Sequence, residues 1–443
     1  MQQYYDTLIN RFKENNEPYL KWENIVPIGE KDITLHESLT NISSDQIKNI
    51  INKICILKLN GGLGTTMGCI GPKGLIKIKN GLSFIDITIE QVKQLNQKYD
   101  CNIPLIFMNS FYTTKHMDAY VKEHEEEHRD VNIMMFEQNS FPRLIKSTQL
   151  PVISLDNIDE IYNNSDLWYP PGHGDLCRSI YDTGLLDKLI GLGYEYIFVS
   201  NIDNLGATLD FNILNELIKN NTEFALELTN KTLLDVKGGT LINYHDKFTM
   251  FEVAQCEPSK LSEFVSIDKF KYFNTNNVWI QLNAVKNLVQ SDFLNSIDII
   301  VNNKKFKDGR ECIQLEYSIG ALIKYFTKVD KFVVSRSRFI PVKTNSDLLL
   351  IKSNIYDLDE NHCIVQKNNK VPIIKLDSCY NNMYCFEECF QNIPNIDDLD
   401  ELIVYSDVRF GHNVKLCGKV ILGNCMVYDT VLNNITCLYP KST

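Results

Sequence analysis

The stretch from Ile54 to Ile78 places the strongest constraint on how this chain folds. Its first residues, 54–60, are apolar and alternating, and they predict a strand that runs through a sheet. Five glycines follow within eleven residues: Gly61, Gly62, Gly64, Gly68 and Gly71. A loop whose backbone approaches a ligand needs such glycines, because a Cβ would block the approach. Exposed backbone N–H groups followed by the single lysine Lys73 suit an anionic ligand such as a polyphosphate. The alternative is that the glycine-rich stretch is a surface linker.

Strands and helices alternate from residue 51 onward. Candidate strands lie at 54–60, 103–110, 131–138 and 195–203, and candidate helices lie at 86–99, 113–128 and 185–190. This order predicts a mostly parallel sheet with helices on both faces, whose ligands bind beyond the carboxyl ends of the strands. Residues 222–280 are richer in strands and predict an antiparallel extension that forms a lid or wall, with a helix near 316–326.

The end of the chain has a strict period of six. One apolar residue occupies each unit: Leu402, Val408, Val414, Val420, Met426, Leu432 and Leu438. This pattern is typical of a parallel β-helix, in which each face of a triangular coil takes one unit. Chance periodicity in a β-rich tail would seldom give seven consecutive matches.

Composition sets the class of protein. The chain has 443 residues and a net charge of −11, so it is a poor general binder of nucleic acid or of acidic membranes. No apolar run is long enough to span a membrane, and the start of the chain lacks the layout of a signal peptide. Its 13 cysteines show no CxxC pair and predict reduced thiols in a cytoplasmic protein. We expect a helical segment at 1–50, a main α/β domain at 51–350, a connecting segment at 351–384 and the β-helix at 385–443.

Two common phosphate motifs are not matched, and one metal motif is disfavoured by its surroundings. A Walker loop requires a lysine directly after its last glycine, but Pro72 intervenes here. A dinucleotide fingerprint requires GxGxxG, and Gly68 comes one position late. The segment HEEEH at 124–128 formally matches the HExxH pattern of zinc proteases, but it has no apolar residue that could bury a metal site, so a solvated helix end is favoured.

Several other segments carry polar residues suited to a ligand. His173 lies between two glycines, and it is either a donor to a sugar hydroxyl or phosphate oxygen or a structural histidine in a turn. Asp203 follows a buried strand, and it is either a helix cap or, beside a polyphosphate, a ligand of Mg²⁺. Asparagine amides in 273–280 suit sugar hydroxyls, and 336–343 is basic; the alternatives are an ordinary turn and a solvated charge cluster.

Six blocks of the sequence, taken together, resemble the eukaryotic UDP-glucose pyrophosphorylases. They run in order from about residue 50 onward: LNGGLGTTMGCIGPK (59–73), WYPPGHGD (168–175), FVSNIDNLGAT (198–208), NKTLLDVKGGTL (230–241), FNTNNVWI (273–280) and RSRFIPVKTNSDLLL (336–350). The related UDP-N-acetylglucosamine enzymes carry Arg-Leu-Gly where this chain has Thr66-Met67-Gly68. This departure favours the glucose branch.

The resemblance implies a nucleotide-diphospho-sugar transferase fold, with a Rossmann-like mixed sheet in the catalytic domain and a C-terminal left-handed parallel β-helix. It also implies which residues form the site. The nucleotide would be lined by Leu59, Asn60, Gly61, Gly62, Lys73, Gln138, Gly172, Asn201, Ile202, Asp203 and Lys343. The sugar phosphate would be contacted by His173, Asn201, Gly239, Glu252, Asn274 and Asn276. Lys343 and Lys73 would be the catalytic lysines, and Asp203 would hold Mg²⁺.

The implied activity is the reversible reaction of UTP with glucose 1-phosphate to give UDP-glucose and pyrophosphate. Rival readings are a catalytically silent nucleotide-sugar binding protein, a relative with a broader sugar range that includes galactose 1-phosphate, and a zinc protease. In family members that assemble, the β-helix is the usual contact surface. The tail after Val420 is shorter here, so the sequence leaves the oligomeric state open.

Overall fold

A computed structural model describes residues 1–14, 19–232, 236, 238–291, 293–368 and 370–438. Part of the block at 230–241 and the side chain of Leu438 therefore lie outside the described residues. Within those ranges, no helix is long and apolar enough to cross a membrane.

The helices and strands are numbered in chain order. The α-helices are α1 (Gln2–Glu14), α2 (Ser44–Ile50), α3 (Phe84–Tyr99), α4 (Thr114–Glu123), α5 (Glu125–His128), α6 (Leu176–Asp182), α7 (Leu185–Gly191), α8 (Phe211–Asn220), α9 (Leu261–Phe264), α10 (Leu282–Gln290), α11 (Asn345–Lys352) and α12 (Met383–Cys389). The strands are β1 (Ile25–Pro27), β2 (Thr34–Leu35), β3 (Ile54–Leu59), β4 (Lys77–Lys79), β5 (Leu82–Ser83), β6 (Leu105–Asn109), β7 (Ile133–Glu137), β8 (Phe141–Pro142), β9 (Leu144–Ile145), β10 (Leu150–Pro151), β11 (Trp168–Tyr169), β12 (Tyr196–Asn201), β13 (Phe224–Asn230), β14 (Thr240–Tyr244), β15 (Lys247–Phe251), β16 (Tyr272–Gln281), β17 (Ile300–Lys305), β18 (Glu311–Glu316), β19 (Val329–Val333), β20 (Tyr356–Leu358), β21 (Ile364–Gln366), β22 (Ile373–Leu376), β23 (Asn395–Phe410), β24 (Val414–Val427) and β25 (Thr430–Leu438).

The chain forms two compact units. The first comprises residues 1–61, 99–201 and 209–336, and the second comprises residues 62–98, 202–208 and 337–443. The first unit contains the main mixed sheet, in the order β2-β19-β13-β16-β12-β3-β6-β7. Strands β12, β3, β6 and β7 run parallel to one another, whereas β16 is antiparallel to both of its neighbours. The parallel, helix-alternating part of the prediction is therefore confirmed, and it places the ends of β3 and β12 side by side.

The prediction of a lid from residues 222–280 is wrong for β13 and β16. Both strands lie inside the main sheet, and β16 pairs directly with β12. Val278, Trp279 and Ile280 are buried, as expected for a strand covered on both faces. The hairpin of β14 and β15 does extend the sheet, through a pairing of Thr240 with Phe273. Strand order depends on long-range pairing, which a local pattern does not encode.

Two further segments differ from their local pattern. The helix expected near 316–326 is a 3₁₀-helix over residues 319–325, and its buried face is the continuous run Ile319–Ile323. The first fifty residues contribute α1 and α2, but they also supply β1, which pairs with β14, and β2, which pairs with β19. These edge strands are two or three residues long, too short to show alternation.

The second unit ends in a set of parallel strands. β22, β23, β24 and β25 pair in that order, all in parallel. Leu402 lies opposite Val420, three six-residue units further along the chain. Positive φ angles at Ser406, Asn413, Gly418, Asn424 and Asn434 mark bends along the path. The period-six prediction of stacked parallel strands is confirmed.

The period also identifies the inward side chains of the first coils. Leu402, Val408, Val414 and Val420 are buried. The phase changes after the bend at Asn424: Met426 is 65% exposed, and the buried residue is Val427, which pairs with buried Phe410.

Candidate active site

The glycines of the loop after β3 have different structural roles. Gly64 and Gly68 flank a 3₁₀ turn at Thr65–Met67, and both adopt the left-handed conformation, with φ of 62° and 66°. A Cβ at Gly68 would also lie 2.5 Å from the Asn381 carbonyl oxygen. At Gly62 and Gly71 a Cβ would meet nothing within 4 Å. The fold therefore requires glycine at 64 and 68, whereas the open space at 62 and 71 is available for a ligand.

Within the second unit, two lysines converge on one carboxylate. Lys73 Nζ lies 2.5 Å from Asp203 Oδ2, and Lys343 Nζ lies 3.5 Å from the same oxygen. The Asp203 side chain is 6% exposed and that of Lys73 is 12% exposed, whereas that of Lys343 is 56% exposed. The structure thus brings together three residues that are each at least 130 positions from the others along the chain. Ile202, also predicted to line the nucleotide, has a buried apolar side chain, so only its backbone is polar.

Asn204 is a residue that the sequence analysis missed. Its Oδ1 accepts a hydrogen bond from the Ile340 amide at 2.9 Å, and its Nδ2 donates to the Arg338 carbonyl at 3.1 Å. Asp203 O also accepts from the Val342 amide. These bonds hold the segment before Lys343 against Asp203 and Asn204 within the second unit. The sequence signal that could have found it is the second asparagine in Ser200–Asn204, because a buried side-chain amide normally pairs with polar groups such as backbone N–H and C=O.

The electrostatics of Asp203 result from two opposing effects. Burial by itself would raise its pKa, but Lys343 and Lys73 outweigh burial and hold the pKa of Asp203 below its usual value. Oδ1 of the same carboxylate is buried and has no hydrogen-bond partner. An ionised, buried oxygen without a partner is costly unless a ligand completes it. This oxygen is therefore a candidate cation ligand.

In the first unit, polar groups gather where β3, β6 and β7 end. Asn60 Nδ2 donates to Asn109 Oδ1 at 2.9 Å, and Ser110 Oγ donates to the Gly61 carbonyl at 2.7 Å. A Cβ at Gly61 would lie 2.3 Å from Gln138 Nε2, so the amide of Gln138 rests directly on that glycine. Gln138 Oε1 is buried without a hydrogen-bond partner. Leu59, the last residue of β3, is half-buried.

A second group of the first unit lies on β12 and β16. The side-chain Nδ2 of Asn276 donates to Asn201 Oδ1 at 2.9 Å, and the backbone N–H of Asn276 donates to Asn274 Oδ1 at 3.0 Å. Asn276 has a φ of 61°, and its own Oδ1 is buried without a partner. The Asn274 amide bonds to the Gly239 carbonyl at 3.0 Å. The structure therefore connects the predicted asparagines into one row.

Glu252 closes this row. A Cβ at Gly239 would lie 2.4 Å from Glu252 Oε1, so the carboxylate lies against the glycine backbone. Burial raises the pKa of Glu252 above its usual value. A carboxylate held in this way is an acceptor suited to neutral donors such as hydroxyls.

His173 is fixed by a backbone contact. Its Nδ1 accepts a hydrogen bond from the Ile319 amide at 3.0 Å, so Nε2 carries the proton of the neutral ring and acts as a donor. Gly172, with a φ of 91°, must be glycine, because a Cβ there would also lie 3.0 Å from the Tyr317 carbonyl. This contact is the one expected of a structural histidine, and donation from Nε2 to a ligand stays a prediction.

The HEEEH segment lies elsewhere in the first unit. His124 separates α4 from α5, and its ring stacks on that of His128 with centroids 5.7 Å apart. Throughout the described ranges, no group of three or more His, Cys, Asp or Glu side chains is arranged to hold a metal ion. A cation at Asp203 would take its other ligands from a bound phosphate and water.

Comparison with known proteins identifies the class. A family model described as UTP–glucose-1-phosphate uridylyltransferase matches residues 1–417. The chain is 41% identical over 418 residues to UTP–glucose-1-phosphate uridylyltransferase 2 of Dictyostelium discoideum, covering 94% of this chain and 82% of the relative. It is 43% identical over 419 residues to UTP–glucose-1-phosphate uridylyltransferase of Solanum tuberosum, covering 93% of this chain and 86% of the relative.

Solved structures give the same result. A UDP-glucose phosphorylase from Trypanosoma brucei matches with a TM-score of 0.87 and 31% identity, over 99% of this chain and 96% of that one. A UDP-glucose pyrophosphorylase mutant from Leishmania major, in complex with UDP-glucose, matches with a TM-score of 0.87 and 29% identity, over 99% and 95% of the two chains. The fold and these matches define a nucleotidyltransferase. The chain belongs to the UTP–glucose-1-phosphate uridylyltransferase family.

Proposed function

We propose that this chain catalyses the reversible transfer of a uridylyl group from UTP to glucose 1-phosphate, giving UDP-glucose and pyrophosphate. The observation that carries the proposal is the pairing of Lys73 and Lys343 with the buried carboxylate of Asp203. Two cations on one carboxylate with an unsatisfied oxygen suit a reaction whose obstacle is negative charge. Membership of the family supports the choice of substrates.

The chemistry needs no general base. A phosphate oxygen of glucose 1-phosphate is already anionic near neutral pH, and it attacks the α-phosphorus of UTP. A new P–O bond forms as the bond between the α-phosphorus and the bridging oxygen breaks, and pyrophosphate leaves with that electron pair. Catalysis therefore consists of positioning the two polyanions and neutralising their charge.

Each lysine has a separate role in the second unit. The exposed Nζ of Lys343 neutralises the attacking phosphate and the oxygens of the α-phosphate. The more buried Lys73 holds the β- and γ-phosphates and stabilises the leaving pyrophosphate. The N–H groups around Gly62, where no side chain intrudes, complete the phosphate cradle.

We assign a Mg²⁺ ligand role to Asp203. The residues present fit the ion, because Oδ1 is buried, unpartnered and part of a carboxylate of lowered pKa. When bound, Mg²⁺ supplies charge neutralisation of the triphosphate and orientation of its oxygens. Lys73 and Lys343 keep Asp203 ionised and ready for the cation.

The first unit supplies recognition in this proposal. Asn60, Gly61 and the Gln138 amide would read the uracil, and the glycine at 172 would allow close approach of the nucleotide. His173 would donate from Nε2 to the sugar phosphate. Sugar hydroxyls would pair with Asn201, Gly239, Glu252, Asn274 and Asn276. The unpartnered oxygens of Gln138 and Asn276 support this assignment, since buried polar atoms of native proteins normally have partners.

A coupled pyrophosphate-release assay tests the function. The chain is incubated with UTP and glucose 1-phosphate, with Mg²⁺ or with EDTA, and UDP-glucose is measured directly. We expect turnover with Mg²⁺ and loss of turnover with EDTA. Binding of UDP-glucose without turnover would instead indicate a silent nucleotide-sugar binding protein. Equal rates with galactose 1-phosphate would indicate the broader sugar range.

We also propose a cytoplasmic location. All thirteen cysteines lie among the described residues, and each is a free thiol. Unpaired thiols in this number suit a reducing compartment. Imaging of the tagged full-length chain in its own cell tests the location, and a signal from an oxidising compartment would contradict it.

A further inference from the structure

A buried carboxylate of the first unit lies outside the proposed set of ligand contacts. Asp175 has no exposed surface, and among the described residues its hydrogen-bond partners include no basic side chain. Its Oδ2 accepts from the Asn139 amide at 2.8 Å and from Ser179 Oγ, and its Oδ1 accepts from Tyr4 Oη at 2.9 Å. Tyr317 Oη adds a longer contact at 3.3 Å. Hydrogen-bond donors, rather than a cation, therefore hold this group.

The donors come from chain positions next to proposed substrate contacts. Asn139 follows Gln138, and it binds Asp175 through both its backbone amide and its side-chain Nδ2, which lies 3.0 Å from Oδ1. A shift of the carboxylate would therefore move the backbone at residue 139 directly. Gln138 is the residue whose amide rests on Gly61.

The loop of His173 is attached to the same carboxylate. Asp175 is two residues beyond His173, and Tyr317 packs on the glycine between them, where a Cβ would lie 2.3 Å from the tyrosine ring. The Gly174 amide donates to the Tyr317 carbonyl at 3.0 Å, and the Tyr317 amide donates to the Pro171 carbonyl at 3.1 Å. Asp175 and Tyr317 thus fix both sides of the loop whose histidine receives the Ile319 amide.

Tyr4 completes the network from helix α1. Its hydroxyl donates to Asp175 Oδ1 and is in hydrogen-bond contact with the Tyr317 hydroxyl. Its ring packs edge-on against Phe141, with centroids 5.2 Å apart, two residues after Asn139. The first helix is therefore joined to both substrate segments by one hydroxyl group.

The donors around Asp175 favour the ionised carboxylate, whereas burial opposes it. Burial raises the pKa of Asp175, and the donors from Ser179, Asn139 and Tyr4 act in the opposite direction. An ionised group in a low-dielectric interior strengthens each of its hydrogen bonds, so removal of a single donor affects the others.

We propose that Asp175 is a positioning residue that sets Gln138 and His173 relative to each other, and that Tyr4 makes helix α1 part of this substrate-positioning apparatus. The inference rests on the proposed function for the roles of Gln138 and His173. A purely structural network would stabilise the fold without changing affinity for either substrate. The two possibilities differ in their kinetic signature.

A matched pair of tyrosine variants separates them. Tyr4→Phe and Tyr5→Phe each remove one buried hydroxyl from α1. The Tyr5 hydroxyl donates to the Pro142 carbonyl at 2.6 Å and not to Asp175. We expect Tyr4→Phe to raise KM for UTP and for glucose 1-phosphate about three- to tenfold, the range seen when a coupling network is altered. We expect Tyr5→Phe to leave both KM values unchanged. It should lower Tm by about as much as Tyr4→Phe does, because each variant loses one buried hydrogen bond.

The outcomes are decisive in both directions. KM values that are equal in the two variants would overturn the proposal, because both would then act only through stability. If Tyr4→Phe does not fold, Ser179→Ala removes another donor to Asp175 from helix α6, and the same rise in KM is expected. Wild-type turnover is measured in parallel, so inactivity of the wild type would count against the proposed function and not against the network.

Discussion

At the scale of single residues, charge and burial oppose each other most directly at Asp203. Its pKa is lowered, so its ion pairs contribute stability above the unfolded pKa of about 3.9, and this contribution is lost as the pH falls through the folded pKa. The same lysines that stabilise the carboxylate are the ones assigned to the phosphates. A bound triphosphate would therefore compete with Asp203 for Lys343, the more exposed and more distant of the two.

This competition leads to a prediction for Lys343→Ala. We expect kcat to fall by at least about a hundredfold, the scale of losing one transition-state donor, while glucose 1-phosphate binding is weakened but retained. Lys375→Ala is the matched control, because Lys375 is 60% exposed and forms one ion pair, with Glu401 at 2.7 Å. Steady-state kinetics measure both variants, and full activity of Lys343→Ala would remove this lysine from the mechanism.

Glu252 should show how a functional carboxylate destabilises its own fold. Its folded pKa is raised, so the stability linked to it is present below the unfolded pKa of about 4.3 and is lost as the pH rises through the folded value. Glu252→Gln should therefore raise Tm at pH 7.5. It should also lower kcat/KM for glucose 1-phosphate by about tenfold, since an ionised acceptor is replaced by a neutral one.

The pH profile separates this effect from a general one. As the pH is lowered, kcat/KM of the wild type for glucose 1-phosphate should begin to fall at a higher pH than protonation of an ordinary glutamate would cause. Glu252→Gln should lack this acidic limb of the profile. Glu257→Gln, at an exposed position of the same segment, should match the wild type. Identical profiles for wild type and Glu252→Gln would mean that the carboxylate does not contact the sugar.

At the scale of elements, the glycine loop illustrates what sequence can and cannot provide. Its position after a buried strand was predictable from alternation and glycine content. Which of its glycines the fold requires was not predictable. Glycine is needed at 68 because a Cβ there would clash with the carbonyl oxygen of Asn381, more than three hundred residues away in the chain. Contacts of that kind depend on the folded backbone, which a local pattern does not contain.

The open glycine of the loop leads to a prediction for Gly62→Val. A valine side chain would meet no protein atom at its Cβ, so folding should be preserved. UTP affinity should fall by about ten- to a hundredfold, the cost of losing a hydrogen bond to a charged group. Calorimetric titration with UTP measures the change. Gly191→Val, also in open space but at the end of α7, is the control, and unchanged UTP affinity in Gly62→Val would show that the loop is not a phosphate cradle.

Strand order marks the same boundary between local and long-range information. The apolar segments that became β3, β6, β7 and β12 were predictable because parallel buried strands read as continuous runs. The insertion of antiparallel β16 beside β12 was not, although it brings Asn276 to Asn201. Asn204 and Asp175 were missed for a related reason: their partners lie 134 and 171 residues away.

At the scale of the whole molecule, net charge opposes the proposed ligand. A chain with a charge of −11 repels polyanions in general, so UTP must be held by the local lysines. We expect UTP at a hundredfold excess over its Kd, with Mg²⁺, to stabilise the folded chain by about 2.7 kcal/mol and to raise Tm. Heparin at the same charge concentration should leave Tm unchanged. An equal shift with heparin would show that the effect is not specific to the nucleotide.

The parallel strands at the end of the chain carry an evolutionary consequence. Each coil of such a set is stabilised by the coils before and after it, so the array behaves as a nearly one-dimensional stack. Gain or loss of a whole coil at its far end would leave earlier pairings, such as Leu402 with Val420, in place. Lineages can therefore vary in C-terminal length by steps of a coil while selection on Lys73 and Asp203 proceeds undisturbed. Size differences among relatives are accordingly expected to cluster near multiples of the coil rather than to be spread evenly.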